Sequence, residues 1–186
     1  GKTKTLTFTY AERPKVFARR GQNGIHRLNK GMFKDKPEHY KNFNIIEDRP
    51  TWLDMKSDGG LNYVNNDKIT TVKFDKSFSM ARPTSTYYWF CGLRKLKTII
   101  GIENLNTSEV KSMCGMFEGC SAKYIECNLE DGNIPEALFK NCQKLESVKL
   151  NGLIEHFGDS CFENCFLLEL INSDFDNYLS IGNSSF

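Results

Sequence analysis

The sequence has 186 residues, of which 39% are hydrophobic and 26% charged, as in a folded protein with a substantial core. No segment approaches the roughly 18 consecutive apolar residues that a membrane-spanning helix needs. The first 60 residues carry 13 Lys and Arg against 7 Asp and Glu, a difference of +6. The remainder carries 12 Lys and Arg against 16 Asp and Glu, a difference of −4. The chain therefore has a basic first third and a mildly acidic remainder. This asymmetry is too small to predict a nucleic-acid partner.

The first third of the chain is predicted to be rich in β-structure. Residues 5–10 alternate threonine with leucine, phenylalanine and tyrosine, which predicts a strand with one buried face. Residues 16–18 are the expected partner strand, and Pro14 stands at the turn between them. The basic cluster of residues 13–20 could meet an acidic glycan or a phosphate backbone, although a solvated hairpin is the favoured interpretation. A further strand is predicted over residues 69–74.

A repeated unit with the pattern Phe-x-x-Cys-x-x-Leu-x-x-(Val or Ile) follows. Successive units begin at Phe90, Phe117, Phe139, Phe162 and Phe186. These phenylalanines are 27, 22, 23 and 24 residues apart, which is the spacing of leucine-rich repeats. A single shift of 23 residues relates Phe139 to Phe162, Cys142 to Cys165, Leu145 to Leu168, Val148 to Ile171 and Ile134 to Phe157. Agreement of so many positions at one shift is improbable by chance.

The spacing within the unit predicts how it folds. Phe, Cys and Leu lie three residues apart, so they share one side of a short helical turn, whether α or 3₁₀. Residues 147–150 then alternate polar and apolar side chains, as a half-buried strand does, and Gly152 lets the chain turn back. One unit cannot bury its own apolar face, so we expect the units to stack around a shared core.

The predicted fold class is therefore α+β, in the form of a repeat solenoid of the leucine-rich-repeat type. We expect a right-handed superhelix of short strands and short helical turns over residues 69–186, with about four repeats and a partial one. Residues 1–68 are expected to form a β-rich N-terminal capping region, because the terminal repeats of a solenoid need a cover.

The seven cysteines are predicted to be part of the stacked core. They are Cys91, Cys114, Cys120, Cys127, Cys142, Cys161 and Cys165. Cys120, Cys142 and Cys165 recur at an inward position of the unit, where cysteine acts as a small hydrophobic residue. We expect a ladder of mostly reduced thiols, in which adjacent rungs about 5 Å apart would allow an occasional disulfide. Their spacing does not match a zinc knuckle and no histidine follows at ligand distance, so no metal site is predicted.

The unit resembles that of a known family. Residues 105–120 read Leu-Asn-Thr-Ser-x-Val-x-x-Met-x-x-Met-Phe-x-x-Cys, and residues 181–186 read Ile-Gly-x-x-x-Phe. Over about residues 69–186 the chain is similar to the BspA-like leucine-rich-repeat surface proteins. It departs from their pattern at Leu93, where cysteine is usual, and at residues 122–124, where a Ser-Leu-x-x-Leu core is expected.

This resemblance implies a secreted or outer-surface protein of anaerobic, often host-associated bacteria, lipid-anchored in some members. It also implies adhesion, with a protein or glycan partner such as host extracellular matrix. Membrane attachment would then come only from a lipid anchor outside this chain. No signal sequence is expected within the chain, because residues 2–5 lead directly into a strand pattern.

No motif of a known catalytic site is recognisable, so we expect no enzyme activity and no cofactor. The sequence lacks His-Glu-x-x-His, Gly-x-Ser-x-Gly and a phosphate-binding Gly-x-x-x-x-Gly-Lys loop. His156 occupies the same part of the unit as Ser180 and is expected in a solvated loop, and His26 and His39 are expected at the surface. Residues 174–177 are acidic but lack the glycine and distal glutamate of a calcium loop, so a plain loop is favoured.

The outward side of the predicted strands is the candidate binding face. Its residues are Thr98, Ile100, Glu126, Asn128, Ser147, Lys149, Leu170 and Asn172. Stacked units would align these side chains into an extended exposed sheet that can meet a partner. A mixture of polar and apolar side chains is also what the solvent-exposed face of any sheet shows. The primary hypothesis is a surface adhesion or recognition module, and the alternative is a structural spacer that presents another domain and binds nothing itself.

Overall fold

The computed structural model describes residues 3–9, 68–129 and 131–186. Its strands are β1 (Lys4–Phe8), β2 (Ile69–Phe74), β3 (Thr98–Ile100), β4 (Tyr124–Asn128), β5 (Asn133–Ile134), β6 (Ser147–Phe157) and β7 (Leu170–Ile181). Within these ranges, two short 3₁₀ helices span Lys76–Met80 and Ile102–Asn104. The predicted partner strand at residues 16–18, the basic cluster of residues 13–20, His26 and His39 lie outside the described residues.

The strands form two parallel sheets. The first sheet has the order β1-β2-β3, and the second has the order β4-β6-β5 with β7 also paired to β6. Every pair of neighbouring strands runs parallel, because the two strands of a pair belong to consecutive turns of the same coil. The result is a β-solenoid of about five turns with little helix. The predicted repeat solenoid is thereby confirmed, and the β2 strand has the predicted bounds.

The strand register follows the shift that relates the sequence repeats. Val148 pairs with Ile171 and Ile134 pairs with Phe157, both at a separation of 23 residues. His156 pairs with Ser180, so these two residues do occupy equivalent places in consecutive turns. Equivalent residues therefore lie one above the other, and each apolar position of the unit becomes a continuous column through the core.

The segments between the strands are tight turns and not continuous helices. The Cys142 amide donates to the Phe139 carbonyl at 3.1 Å and the Leu145 amide to the Cys142 carbonyl at 3.0 Å, which is the bonding of a 3₁₀ helix. Ala137 and Asn141, two residues on either side of Phe139, have left-handed backbones with φ of 55° and 60°. These residues stop the predicted helical turn from continuing as a helix.

The same left-handed residues allow consecutive turns to bond to each other. The Phe117 amide donates to the Leu138 carbonyl at 3.0 Å, and the Phe139 amide donates to the Cys161 carbonyl at 2.8 Å. The pattern is repeated around Phe90, Phe117 and Phe162, where left-handed residues again stand two positions before and after the phenylalanine. The turn side of the solenoid therefore has its own ladder of backbone hydrogen bonds, which satisfies polar groups that burial would otherwise leave unpaired.

Phenylalanine forms a column along the core. The rings of Phe117 and Phe139 stack with centroids 5.5 Å apart, those of Phe139 and Phe162 at 5.0 Å, and those of Phe162 and Phe186 at 5.6 Å. Phe90 continues the column beyond Phe117 at 5.5 Å with a tilted ring. Aromatic pairs in such contact stabilise a protein beyond the area that they bury, so the column couples each turn to the next.

The recurring cysteines form a second column beside the phenylalanines, and all seven cysteines are free thiols. The sulfur atoms of Cys120 and Cys142 are 3.8 Å apart. The Cys142 thiol donates to the Phe117 carbonyl at 3.0 Å, and the Cys165 thiol donates to the Phe139 carbonyl at 3.0 Å. Burial raises the pKa of the Cys142 thiol well above its usual range. The Cys142 thiol is thus a neutral hydrogen-bond donor in the core. Leu93 is buried in the same slot of the Phe90 turn.

Two segments expected to be loops are strands. His156 lies half-buried in β6, and residues 174–177 lie within β7. The prediction was wrong because polar residues beyond the bend at Gly152 still pair with the neighbouring turns, as when the Glu155 amide donates to the Gly132 carbonyl at 2.8 Å. Gly152 itself has a φ of 126°, and a Cβ there would lie 2.7 Å from the Leu129 carbonyl oxygen. It therefore bends β6 without ending it.

Candidate binding face

All eight residues of the predicted binding face point outward. Thr98, Ile100, Leu170 and Asn172 are exposed, and Glu126, Asn128, Ser147 and Lys149 are half-buried. In β4 they alternate with the buried Ile125 and Cys127, and in β6 with the buried Val148 and Leu150. The alternation arises because successive side chains of a strand point to opposite faces of the sheet.

The structure brings six of these eight residues together on one sheet. Tyr124, Ser147 and Leu170 form one row across β4, β6 and β7. Glu126, Lys149 and Asn172 form the next row, and Asn128 pairs with Asn151 in the third. Thr98 and Ile100 belong to the other sheet, where they pair with Thr71 and Lys73 of β2. These three rows on β4, β6 and β7 form the strand face.

Hydrogen bonds fix the polar centre of the strand face. The Lys149 ammonium lies 2.7 Å from Glu126 Oε1, and the Asn151 amide donates to the same oxygen at 2.9 Å and to Asn128 Oδ1 at 2.7 Å. The bonds from Asn151 and Lys149 lower the pKa of the Glu126 carboxyl, which therefore stays ionised at neutral pH. The carboxylate in turn raises the pKa of Lys149. Acidic, basic and amide groups are held in set positions before any partner arrives.

Tyr124 and Asn151 belong to the strand face but are absent from the sequence-based prediction. Tyr124 stands two residues before Glu126 in β4 and has an exposed ring, and its hydroxyl lies 3.5 Å from Glu126 Oε2. Asn151 stands two residues after Lys149 in β6. The alternation that identified Glu126 and Lys149, extended by one step along each strand, would have included both.

The thiols of Cys114, Cys127 and Cys161 are unsuited to nucleophilic chemistry, for which the thiolate is the reactive form, whereas the hydrogen bond with the Cys142 thiol lowers the pKa of Cys165. Burial raises the pKa of Cys127 to about 12 and that of Cys161 to about 12. Cys114 is half-buried, and burial together with the nearby carboxylates of Glu136 and Glu118 raises its pKa to about 11. His156 Nδ1 lies 2.7 Å from the Ser180 hydroxyl in adjacent strands, a contact that the strand register itself produces.

Across residues 3–9, 68–129 and 131–186, no group of three His, Cys, Asp or Glu side chains is arranged to hold a metal ion. Among the same residues, no helix has the length and apolar character needed to cross a membrane.

Residues 62–186, about two thirds of the chain, match the family model of the BspA type leucine rich repeat region in six copies. No curated protein and no solved structure matches the chain. The family match agrees with the stacked parallel strands, the 23-residue register and the phenylalanine column. The chain therefore belongs to the family of proteins with BspA type leucine-rich repeats.

Proposed function

We propose that this chain is a non-catalytic recognition module, displayed on a bacterial cell surface or secreted, that binds a protein or glycan through the strand face. The observation that carries the proposal is the row of Glu126, Lys149 and Asn172, which the strand register aligns and in which both Lys149 and Asn151 bond to Glu126. Family membership supports it, since proteins with BspA type repeats are generally associated with bacterial surfaces. Adhesion to host matrix is the specific form that we propose.

The chemistry of the strand face suits recognition. Its side chains are already held by the sheet, so less conformational entropy is lost when a partner binds. Tyr124 and Leu170, in one row, are 50% and 56% exposed and supply aromatic and apolar contact area. The neighbouring row supplies a carboxylate, an ammonium and an amide that can orient a partner by hydrogen bonds. Such a combination of apolar contact with polar groups is typical of protein interfaces.

Binding to a panel of immobilised host matrix proteins and to a glycan array would test the proposal. For any ligand found, the double variant Glu126→Lys/Lys149→Glu should weaken binding about tenfold or more, because it exchanges the charges on the strand face without changing the net charge. The matched control is Lys140→Glu/Glu163→Lys. That pair also lies 2.7 Å apart, also joins residues 23 positions apart, and belongs to the tight turns.

Each outcome has a clear meaning. Loss of binding in the strand-face variant alone supports the proposal, whereas equal loss in both variants, or in neither, excludes the strand face as the site. If no ligand is retained from either panel, the structural spacer becomes the better account. Antibody labelling of intact cells tests the location separately, and labelling only after lysis would contradict display at the surface.

A further inference from the structure

A polar cavity of about 500 Å³ opens among the tight turns of the solenoid. Its lining residues belong to the three consecutive turns that begin at Phe90, Phe117 and Phe139. The Phe162 turn packs against the last of these, since the rings of Phe139 and Phe162 stack at 5.0 Å. The cavity therefore lies among inner turns of the solenoid.

A missing side chain in the Phe117 turn creates much of this cavity. In the next two turns the second residue after the phenylalanine is asparagine, and the Asn164 amide donates to Asn141 Oδ1 at 2.8 Å. Glycine takes this place in the Phe117 turn, as Gly119. A Cβ at Gly119 would come no closer than 3.9 Å to the backbone of Gly92, so a side chain has room there. The column of asparagines thus ends at the cavity, which Asn141 lines.

The position four residues after the phenylalanine shows the same change in size. It is occupied in consecutive turns by Arg94, Ser121 and Gln143, and all three residues line the cavity. The short serine lies between two long polar side chains, with the neighbouring turns about 4.8 Å away on either side. The cavity is thus a recess in the middle turn, with hydrogen-bonding side chains on both of its rims.

The rims carry basic side chains. Arg94 and Lys144 are exposed and line the cavity from the two outer turns of the three. Lys144 belongs to none of the ion pairs that the described residues form with one another, so its charge is available to a ligand. Glu118 also lines the cavity and offers a carboxylate as a hydrogen-bond acceptor. The lining therefore suits a ligand that has one anionic group and several hydroxyl groups.

We propose that this cavity is a second binding site, which takes one acidic sugar unit of a glycan, that is, a pyranose ring that carries a carboxylate. The volume is within the range of small-molecule sites. The carboxylate would lie between Arg94 and Lys144, where charge-assisted hydrogen bonds hold it. The ring hydroxyls would bond to Asn141, Gln143 and Glu118. A ligand without polar groups fits poorly, because it would leave these side chains without hydrogen-bond partners.

The methyl glycoside of glucuronic acid is the probe, and the shifts of the Gly92 and Gly119 amide signals in an NMR titration are the measurement. Binding should be saturable and should weaken as salt is raised, since the attraction is partly between exposed charges. The methyl glycoside of glucose has the same ring without the carboxylate and should bind about tenfold more weakly. Acetate and inorganic phosphate carry charge without the ring and should also bind about tenfold more weakly.

Two variants that fill the cavity locate the site. Gly119→Asn supplies the side chain that Asn141 carries in the next turn, and should weaken binding of the glucuronic acid glycoside at least about tenfold. The backbone should tolerate it, because Gly119 and Asn141 have left-handed φ of 65° and 60°. Ser121→Gln copies Gln143 in the same way and should also weaken binding. The amide spectrum of each variant should show that the fold is kept.

A pair of charge variants tests the role of the basic rim. Lys144→Glu should weaken binding of the glucuronic acid glycoside about fivefold or more, because it places a carboxylate beside that of the ligand. Lys111→Glu makes the same change of charge at an exposed residue outside the cavity and should leave binding intact.

Unchanged binding in both cavity-filling variants, or equal losses in the two lysine variants, would overturn the proposal by placing the ligand elsewhere. Equal binding of the glucose glycoside would exclude recognition of an acidic sugar, and equal binding of phosphate would show a site for an anion alone. Failure of the glucuronic acid glycoside to saturate would also overturn the proposal. None of these results bears on the strand face, because the variants leave Glu126 and Lys149 unchanged.

Discussion

The turn built on Phe139 and the turn that ends at Phe186 follow one sequence pattern but have opposite surroundings. Phe139 is fully buried between the rings of Phe117 and Phe162, at 5.5 Å and 5.0 Å. Phe186 stacks on Phe162 at 5.6 Å and leaves most of its surface in solvent. Burial in this fold is thus conferred by the adjacent turn and cannot be assigned to a residue from its own repeat alone.

The comparison extends to the other columns of the core. Cys142, Leu145 and Val148 are buried, whereas their equivalents 23 residues later, Cys165, Leu168 and Ile171, are only half-buried. The stability that a turn contributes should therefore be set mainly by its contacts with the turns before and after it, as in other repeat proteins.

The largest expected effect is a difference in the free energy of unfolding between variants of Phe139 and Phe186. Phe139→Ala should lower the free energy of unfolding by about 3–5 kcal/mol, because it leaves a cavity that two neighbouring rings line. Phe186→Ala should lower it by less than about 1 kcal/mol, since the side chain is mostly solvated already. Urea unfolding followed by circular dichroism measures both values. Equal losses would show that the last turn is covered in solution as the inner turns are.

A second expected effect uses the buried thiol of Cys127, whose folded-state pKa is raised by burial from 9.0 to about 12. A raised pKa means that the folded state holds the proton more tightly than the unfolded state. The contribution is complete below pH 9 and is lost as the pH rises from 9 towards 12, because the unfolded chain then releases the proton first.

Unfolding measured across that pH range should therefore show a steady loss of stability, with a slope of up to about 1.4 kcal/mol per pH unit for each such thiol. Cys127→Val removes this thiol and should give a shallower slope, while its stability at neutral pH changes little. An unchanged slope in Cys127→Val would mean that solvent reaches the interior of the inner turns in the folded state.

The smallest effect concerns the left-handed residues of the turns. Ala137 adopts a φ of 55° where the equivalent residue of the Phe117 turn is Gly115, with a φ of 60°. Ala137→Gly should raise the free energy of unfolding by about 0.5 kcal/mol, because glycine adopts this backbone without strain. Ala122→Gly is the control at a buried alanine outside the left-handed set, and it should destabilise the protein. If Ala137→Gly destabilises equally, the backbone strain is negligible.

Much of the fold could be predicted from the sequence because the shift between sequence repeats is also the register between paired strands. The shift that relates Val148 to Ile171 in the sequence also pairs them in the sheet. Glycine stands at the left-handed positions of the Phe117 turn, Gly115 and Gly119, but Ala137 and Tyr88 occupy the same position in other turns, so residue type did not reveal that the left-handed backbone recurs. The strands over His156 and residues 174–177 were missed because their pairing depends on neighbouring turns and not on local alternation.

The candidate binding face could also be predicted in part from the sequence. Alternation along β4 and β6 identified Glu126 and Lys149 as outward residues. It could not show that Thr98 and Ile100 lie on a separate sheet. The spacing between Phe90 and Phe117 is longer than the others, but spacing alone does not indicate where the pairing of strands ends. Nor could it reveal that the Asn151 amide donates hydrogen bonds to both Glu126 and Asn128, because these bonds depend on the distance between β4 and β6.

The rings of Phe117 and Phe139 stack much as those of Phe139 and Phe162 do, and this similarity affects how such a chain can change during evolution. In-frame duplication or deletion of one whole unit would join two surfaces that already fit, so the product should still fold. Loss of a buried phenylalanine or cysteine within a unit would instead interrupt its column. Genes of this kind are therefore free to vary in length by whole units, whereas differences within a unit, from 22 to 27 residues in this chain, lie between the positions that form the columns.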